Sequence, residues 1–305
     1  MMSRSRPLTR LLTALFFALC PFRVAAERLN IGSIGADLKG EAHQLEPLAG
    51  YLTSRLKAVG VESVGVEVRS KPDDMRDAIA KGDVQIVVES PYEAAIMAQE
   101  TGAVPILRRW KKGLAEYWSE ILVRTEGQLA DLQALRGRVI AFEDPGSTSG
   151  DYLPRVMLAT AGLGVQVLPG LDARPEPDRV GVVFSNDHRT SVLWLLASRV
   201  DGVALDTTFA EKLRKEEPDR TRSLARSITV PRHVVLVAPS VSSRVKNEVE
   251  SLLLAMSDSE EGRDILRQSS TDKFDHFPLG VDETFKPIYE SLKVLALPSA
   301  QSGRK

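Results

Sequence analysis

The chain has 305 residues, 43% of them hydrophobic, and its 40 lysines and arginines are balanced by 41 acidic residues. This near-neutral charge argues against a nucleic-acid-binding protein or one that binds an anionic membrane surface, because both need a strongly basic face. The length fits two units of ordinary domain size, and the hydrophobic fraction is sufficient for a core in each.

The first 26 residues have the pattern of a secretory signal peptide. Arg4, Arg6 and Arg10 precede an apolar run over 11–21, and small residues lead to Ala26. The run is too short to span a bilayer, which takes roughly 20 residues. We therefore expect cleavage near Ala26 and a periplasmic location. Cys20, the only cysteine, would leave with this segment. The mature chain would then have no disulfide, no thiol nucleophile and no thiolate metal site.

Beyond the signal, strand-like and helix-like segments alternate along the chain. Their alternation predicts βαβ units around mainly parallel sheets, and thus an α/β fold. The polar tail, 298–305, is predicted to be disordered. The predicted strands are 29–34, 64–68, 84–88, 120–123, 138–142, 180–184, 202–205 and 234–238. The predicted helices are 45–56, 72–80, 92–100, 129–135, 152–161, 191–199, 244–256, 263–268 and 285–295.

The segment 139–150 is the most informative one for function. A strand runs into Pro145-Gly146 and then into Ser147-Thr148-Ser149-Gly150 before a helix. The start of a helix offers free N–H groups and the positive end of the dipole, and the hydroxyls add donors, so the turn predicts an anion site. Taken alone, the pattern fits an ordinary helix cap equally well, and the acidic neighbours Glu143, Asp144 and Asp151 oppose an anion unless they point away.

Two enzyme motifs are excluded at this turn. No Gly-Lys-Ser/Thr follows it, so it is not a P-loop. The central position between Gly146 and Gly150 is Thr148 rather than serine, so it is not the nucleophile elbow of a hydrolase.

The run from Asp131, DLQALRGRVIAFEDPGSTSGDYLPRVML, resembles the hallmark segment of the phosphate/phosphite/phosphonate-binding proteins of ABC importers. Segments 82–92, 184–192 and 200–206 resemble the same family, in the same order. The resemblance implies a two-lobed periplasmic-binding-protein type II fold with the ligand between the lobes. It places 27–122 and 236–297 in one lobe and 123–235 in the other, with crossovers near 122–125 and 229–237.

The resemblance also implies the residues that hold the ligand. Asp206 would accept the proton of a monoprotonated oxyanion, although it could simply cap the next helix. His188 could likewise be a cap, and Tyr92 a core aromatic. Asn186-Asp187 stand before the histidine where the family often has Gly-Ser. The implied ligand residues are Ser147, Thr148, Ser149, Tyr92, His188 and Asp206, with Gly150, His43 and Arg189 as further candidates.

The resulting functional hypothesis is a monomeric solute-binding protein that delivers a phosphonate, phosphite or phosphate to an ABC permease and its ATPase, without catalysis, cofactor, metal or nucleic acid. Two alternatives stay open. The same fold could bind a sulfonate or a pyrimidine, or serve a sensor. A hydrolase using Ser147, His188 and Asp206 as nucleophile, base and orienting acid is the enzymatic alternative.

Overall fold

The structure, a computed structural model, describes residues 27–296. The predicted signal peptide and the predicted disordered tail lie outside these residues. The strands are β1 (Glu27–Ile34), β2 (Val61–Arg69), β3 (Ile86–Glu89), β4 (Val104–Arg109), β5 (Glu116–Tyr117), β6 (Ser119–Arg124), β7 (Val139–Phe142), β8 (Gly164–Val167), β9 (Arg179–Phe184), β10 (Gly202–Asp206), β11 (Thr221–Arg226), β12 (Val230–Pro231), β13 (His233–Val237) and β14 (Phe274–Asp275).

Helices lie between most of these strands, and none within residues 27–296 has the length and apolar character needed to cross a bilayer. They are α1 (Leu38–Arg55), α2 (Pro72–Lys81), α3 (Pro91–Thr101), α4 (Leu153–Thr160), α5 (His188–Leu196), α6 (Thr207–Glu216), α7 (Ser243–Ala255), α8 (Glu260–Gln268) and α9 (Gly280–Leu295).

The first sheet has the order β14-β4-β13-β3-β1-β2. Strand β1 pairs in parallel with β2 and β3, whereas β13 is antiparallel to both β3 and β4. The chain thus returns to this sheet after leaving it for more than a hundred residues. The sheet is mixed because this late strand is inserted between two early ones.

The second sheet has the order β11-β6-β10-β7-β9-β8 and is built from one continuous stretch of chain. Strands β10, β7, β9 and β8 are parallel, and β6 is antiparallel to its two neighbours. A separate antiparallel ladder of β5 and β12, which pairs Tyr117 with Val230, carries the chain between the two sheets in both directions.

Local sequence explains where the helices begin and end. α2 and α3 each start with proline, which fits the first helical turn because its missing N–H would be unpaired there anyway. Gly82 and Gly102 follow the ends of these helices with φ of 77° and 73°, a left-handed conformation that glycine adopts without strain.

The helix predicted over 129–135 is wrong. Only a short 3-10 turn forms there, over Leu132–Leu135. Asp131 caps it, because its side chain accepts a hydrogen bond from the Ala134 N–H at 3.2 Å. The chain then reverses at Gly137, which has φ of 71°. A cap followed so soon by a left-handed residue leaves no length for an α-helix.

Buried apolar side chains cover both faces of each sheet. On the first sheet, α1 and α7 contribute Leu52 and Val249 to one face, and α3 and α9 contribute Met97 and Phe285 to the other. Each fully buried side chain of this size stabilises the fold by about 1.5–3 kcal/mol. Tyr152, which follows the second sheet's β7, belongs to the same cluster as Phe285 and so links the two halves.

Candidate functional site

A cleft of about 840 Å³ lies at the carboxyl ends of strands from both sheets. β1 and β3 contribute from the first sheet, and the loops after β7, β9 and β10 from the second. In open α/β sheets, ligands bind in the crevice at the carboxyl ends of the strands. The polar residues lining this cleft are Glu41, Ser70, Glu89, Ser90, Glu93, Lys112, Tyr117, Glu143, Asp144, Ser147, Thr148, Ser149, Asp187, His188, Asp206, Arg232 and His233.

The turn predicted to hold an anion forms part of the cleft wall. Pro154 delays the regular helix, and residues Thr148–Tyr152 instead make one π-helical turn before α4. The Ser147 hydroxyl oxygen accepts a hydrogen bond from the Gly150 N–H at 3.1 Å and lies 3.2 Å from Glu143 Oε2. Ser147 is therefore a helix cap whose hydroxyl is already occupied.

Thr148 and Ser149 are buried at the bottom of the same turn. The Thr148 hydroxyl accepts a hydrogen bond from the Tyr92 N–H at 3.3 Å, and the Ser149 carbonyl accepts one from Ser119 Oγ at 2.7 Å. These bonds tie the turn to α3 of the first sheet and to β6 of the second. Both residues also line the cleft.

Gly150 is required by close packing. A Cβ at this position would lie 2.5 Å from the Glu143 Cβ and 3.0 Å from Ser147 Oγ. Only glycine lets the Glu143 side chain lie flat against the turn. The sequence did not show whether Glu143 points away from the turn. The structure places its carboxylate beside the Ser147 hydroxyl, in the space that the missing side chain of Gly150 leaves open.

His188 begins α5 and faces that carboxylate. Its Nε2 lies 3.0 Å from Glu143 Oε1, and its ring centroid lies 4.3 Å from that of Phe209. His188 Nδ1 is buried and has no hydrogen-bond partner among residues 27–296. Asp187 caps α5 by accepting the Thr190 N–H at 2.8 Å, and this hydrogen bond lowers the pKa of Asp187.

Asp206 both caps a helix and lines the cleft. Its Oδ1 accepts the Phe209 N–H at 2.9 Å, at the start of α6. Its Oδ2 lies 3.8 Å from the guanidinium of Arg232. The cap fixes the carboxylate while one oxygen stays turned toward a cation in the cleft.

Tyr92 lies against a second cavity, of about 480 Å³, that adjoins the cleft. Its ring stacks on that of Tyr152 with centroids 4.0 Å apart. The Tyr152 hydroxyl donates to the Ile288 carbonyl at 2.9 Å. Tyr92 therefore contributes its backbone N–H to the turn and its ring to a contact between the two halves of the molecule.

Two further candidates lie elsewhere. His43 is exposed on α1, with Nδ1 3.6 Å from Glu46. Arg189 is exposed on α5. Neither lines the cleft.

Several cleft residues were not among the sequence candidates, and they include Tyr117, Arg232, His233 and Glu89. Tyr117 and Arg232 lie at the crossovers between the sheets, where the chain borders the cleft. The predicted crossovers could therefore have indicated both residues as cleft residues. Burial, followed by the charge of Arg109, lowers the pKa of His233 well below its usual value.

The cleft is rich in carboxyl groups, and burial raises the pKa of several of them. Burial raises the pKa of Glu89, although the N–H groups of Ser90 and Ile34 donate to it at 2.7 and 2.9 Å. Burial raises the pKa of Glu93 to about 7. Burial also raises the pKa of Asp144.

The family described as the phosphonate-binding periplasmic substrate-binding protein of ABC transporters matches residues 39–277. The chain belongs to this family. Its members are periplasmic substrate-binding components of transporters, so the resemblance inferred from the four motifs is confirmed.

Solved structures show the same fold. XAC2383 from Xanthomonas citri, bound to chloride or to ATP, is 23% or 22% identical, with 87% of this chain and 97% of that chain covered and a TM-score of 0.78 in both cases. PhnD1 from Prochlorococcus marinus in complex with methylphosphonate is 16% identical over 88% of this chain and 98% of that one, with a TM-score of 0.61. The binding-protein component of an ABC phosphonate transporter from Pseudomonas aeruginosa is 16% identical, covers 87% and 85%, and has a TM-score of 0.59. A comparison with curated proteins gives no match.

The fold prediction is therefore confirmed as an α/β, two-lobed binding-protein fold with mixed sheets.

Proposed function

We propose that this protein is the solute-binding component of an ABC importer and that it binds a monoprotonated phosphorus oxyanion, a phosphonate, phosphite or phosphate, in the 840 Å³ cleft. The observation that carries the proposal is that the predicted ligand residues of three separate segments meet in one cleft. Ser147–Ser149, His188 and Asp206 follow three parallel strands of one sheet and line a single cleft with residues of the other sheet.

In this proposal the ligand's oxygens accept hydrogen bonds from the Thr148 and Ser149 hydroxyls at the positive end of α4. A P–OH proton is donated to a carboxylate, either Asp206 or Glu143. Such a pairing rejects sulfate, which carries no proton at neutral pH and would leave the carboxylate facing a bare anion. Ser147 caps the helical turn that follows it and does not donate a hydrogen bond to the ligand.

The two halves would move as lobes, 27–118 with 232–296 and 119–229, about the ladder of β5 and β12. The ligand favours the closed form because it contacts both lobes there. The closed form is recognised by the permease, and an ATPase powers release. The protein acts as a monomer in the periplasm after its signal has been removed near Ala26.

Catalysis has little geometric support. The Ser147 hydroxyl and His188 Nε2 both contact Glu143, and Asp206 is turned toward Arg232. A hydrolytic relay would need the histidine to contact the serine directly. Absence of esterase and phosphatase turnover in the purified protein is the expected result.

Isothermal titration calorimetry tests the proposal with phosphate, phosphite, methylphosphonate, 2-aminoethylphosphonate, sulfate, an alkylsulfonate, a pyrimidine and ATP. At least one phosphorus oxyanion should bind, and sulfate should not. Thr148→Val removes a buried hydroxyl of the turn and should weaken binding about 10-fold or more. Thr101→Val, which removes a hydroxyl that bonds the Met97 carbonyl on α3, is the matched control.

Tight binding of the sulfonate or the pyrimidine, with none of the phosphorus compounds bound, would contradict the proposal. Closure has its own readout in Trp118, which lies beside the ladder of β5 and β12 and donates its indole N–H to Glu120 at 2.8 Å. A bound ligand should change its fluorescence, and Trp118→Phe should remove that change.

A further inference from the structure

Arg232 is a charged residue of the cleft whose side chain is mostly buried. It lies between β12 and β13, and its backbone N–H donates to the Ala115 carbonyl at 2.7 Å, which anchors the residue to the ladder between the sheets. Its side chain is only 13% exposed. Burying a guanidinium to this degree is unfavourable unless its donors are paired.

The polar partners found for this guanidinium within residues 27–296 are few. The nearest oxygen of Asp206 is 3.8 Å away, beyond hydrogen-bond length. The guanidinium carbon lies 4.4 Å from the Tyr117 ring centroid. Burial raises the pKa of the Tyr117 hydroxyl, and the neighbouring Arg232 lowers it. A guanidinium has five N–H donors, so most of them remain available to a group in the cleft.

Arg232 shares the cleft with the Ser147-Thr148-Ser149 turn. Tyr117, Thr148, Asp206 and Arg232 all line the cleft. The turn and the guanidinium therefore border the same cleft, so an oxyanion bound there is open to both.

The charge of the cleft makes this position consequential. Its acidic lining residues are Glu41, Glu89, Glu93, Glu143, Asp144, Asp187 and Asp206, and its lysine and arginine are Lys112 and Arg232. Lys112 is exposed, whereas the Arg232 side chain is mostly buried. Without Arg232, an anion at the turn would meet carboxylates and no buried cation.

We propose that Arg232 is a ligand-binding residue that donates two hydrogen bonds to the oxyanion, and that with Asp206 it recognises a P–O⁻ and a P–OH on the same phosphorus. This inference rests on the proposed binding of a phosphorus oxyanion. Because Arg232 directly follows the ladder between the sheets, the contact also ties the ligand to the segment about which the lobes turn.

Calorimetry of three variants with the phosphorus compound that the wild type binds best tests the inference. Arg232→Gln should weaken binding about 10- to 100-fold, the usual effect of losing hydrogen bonds to a charged group. Arg232→Lys keeps the charge but loses the planar fork, so an intermediate loss is expected. Arg226→Gln is the control, because Arg226 also lies over an aromatic ring, Trp118 at 3.5 Å, but does not line the cleft.

A second readout separates ligand contact from a structural role. If Arg232 pairs with the anion, added NaCl should weaken wild-type binding more steeply than it weakens the binding of Arg232→Gln. Thermal melts establish that each variant is folded, and Arg232→Lys carries the test if the glutamine variant does not fold.

Affinity within about twofold of wild type in both Arg232 variants would overturn the inference and leave the proposed function intact. An equal loss of affinity in Arg226→Gln, or an unchanged salt dependence, would overturn it as well. If the wild type binds no phosphorus oxyanion at all, the proposed function fails and the inference fails with it. That outcome is seen before any variant is made.

Discussion

Replacing Gly150 by alanine should destabilise the protein and impair the cleft together. The new Cβ would lie 2.5 Å from the Glu143 Cβ and 2.8 Å from its Oε2, distances at which the neighbour must move. Overpacking of this kind costs about 1–3 kcal/mol. At about 2–4 °C for each kcal/mol in a protein of this size, the melting temperature should fall by several degrees. Glu143 also contacts His188 and Ser147, so its displacement should weaken ligand binding.

Gly146→Ala provides a contrast on the same turn. Gly146 has φ of 83° and no atom within 4 Å of the added Cβ, so its substitution costs conformational energy alone, about 1–2 kcal/mol. Urea unfolding gives both stabilities, and calorimetry gives both affinities. Stability and affinity of Gly150→Ala that match the wild type would refute the argument that Glu143 is packed rigidly against the turn.

Three further changes have defined outcomes. Glu93→Gln should raise the melting temperature at pH 8 but hardly at pH 4. Burial raises the folded-state pKa of Glu93 from 4.5 to about 7, so the stability that its neutral form contributes is lost as the pH rises through that value. Equal melting shifts at both pH values would contradict this. Tyr152→Phe should cost about 1 kcal/mol in urea unfolding, because the bond to the Ile288 carbonyl is lost, and it should lower ligand affinity if the two halves separate more easily. An unchanged affinity would show that this contact does not influence closure. Asp187→Ala should lower stability at pH 7 through loss of the Thr190 cap. The pKa of Asp187 is depressed, so its contribution is present above about 3.8 and disappears as the pH falls through the folded-state value. A difference from wild type that persisted in acid would argue against the charged cap.

Most of the fold was predictable because apolar periodicity survives in elements that are buried on one face or on both. The predicted strand 202–205 and helix 72–80 differ from β10 and α2 by one residue at their ends. Strand β4 was missed because its second half, Arg108-Arg109, is charged. Arg108 is buried through pairs of 2.7 Å with Glu116 and Asp275, partners that no local pattern reveals.

The sequence predicted several residues that line the cleft but not the balance of charge in it. The Ser147-Thr148-Ser149 turn, His188 and Asp206 line one cleft. The sequence could not show that Glu143 lies between Ser147 and His188, since that depends on the packing of Gly150. It also could not place Arg232 in the cleft, because the residue comes from a crossover far along the chain.

The insertion of β13 between β3 and β4 has a consequence for the order in which the chain can fold as it is made. The second sheet is complete once β11 has emerged, because all its strands are consecutive. The first sheet must wait for β13, and until then β3 and β4 present edges with unpaired backbone groups. Such edges favour pairing with other chains. We expect the half that contains the second sheet to become structured first. The half that contains the first sheet should depend most on a chaperone, because its sheet is incomplete until β13 has emerged.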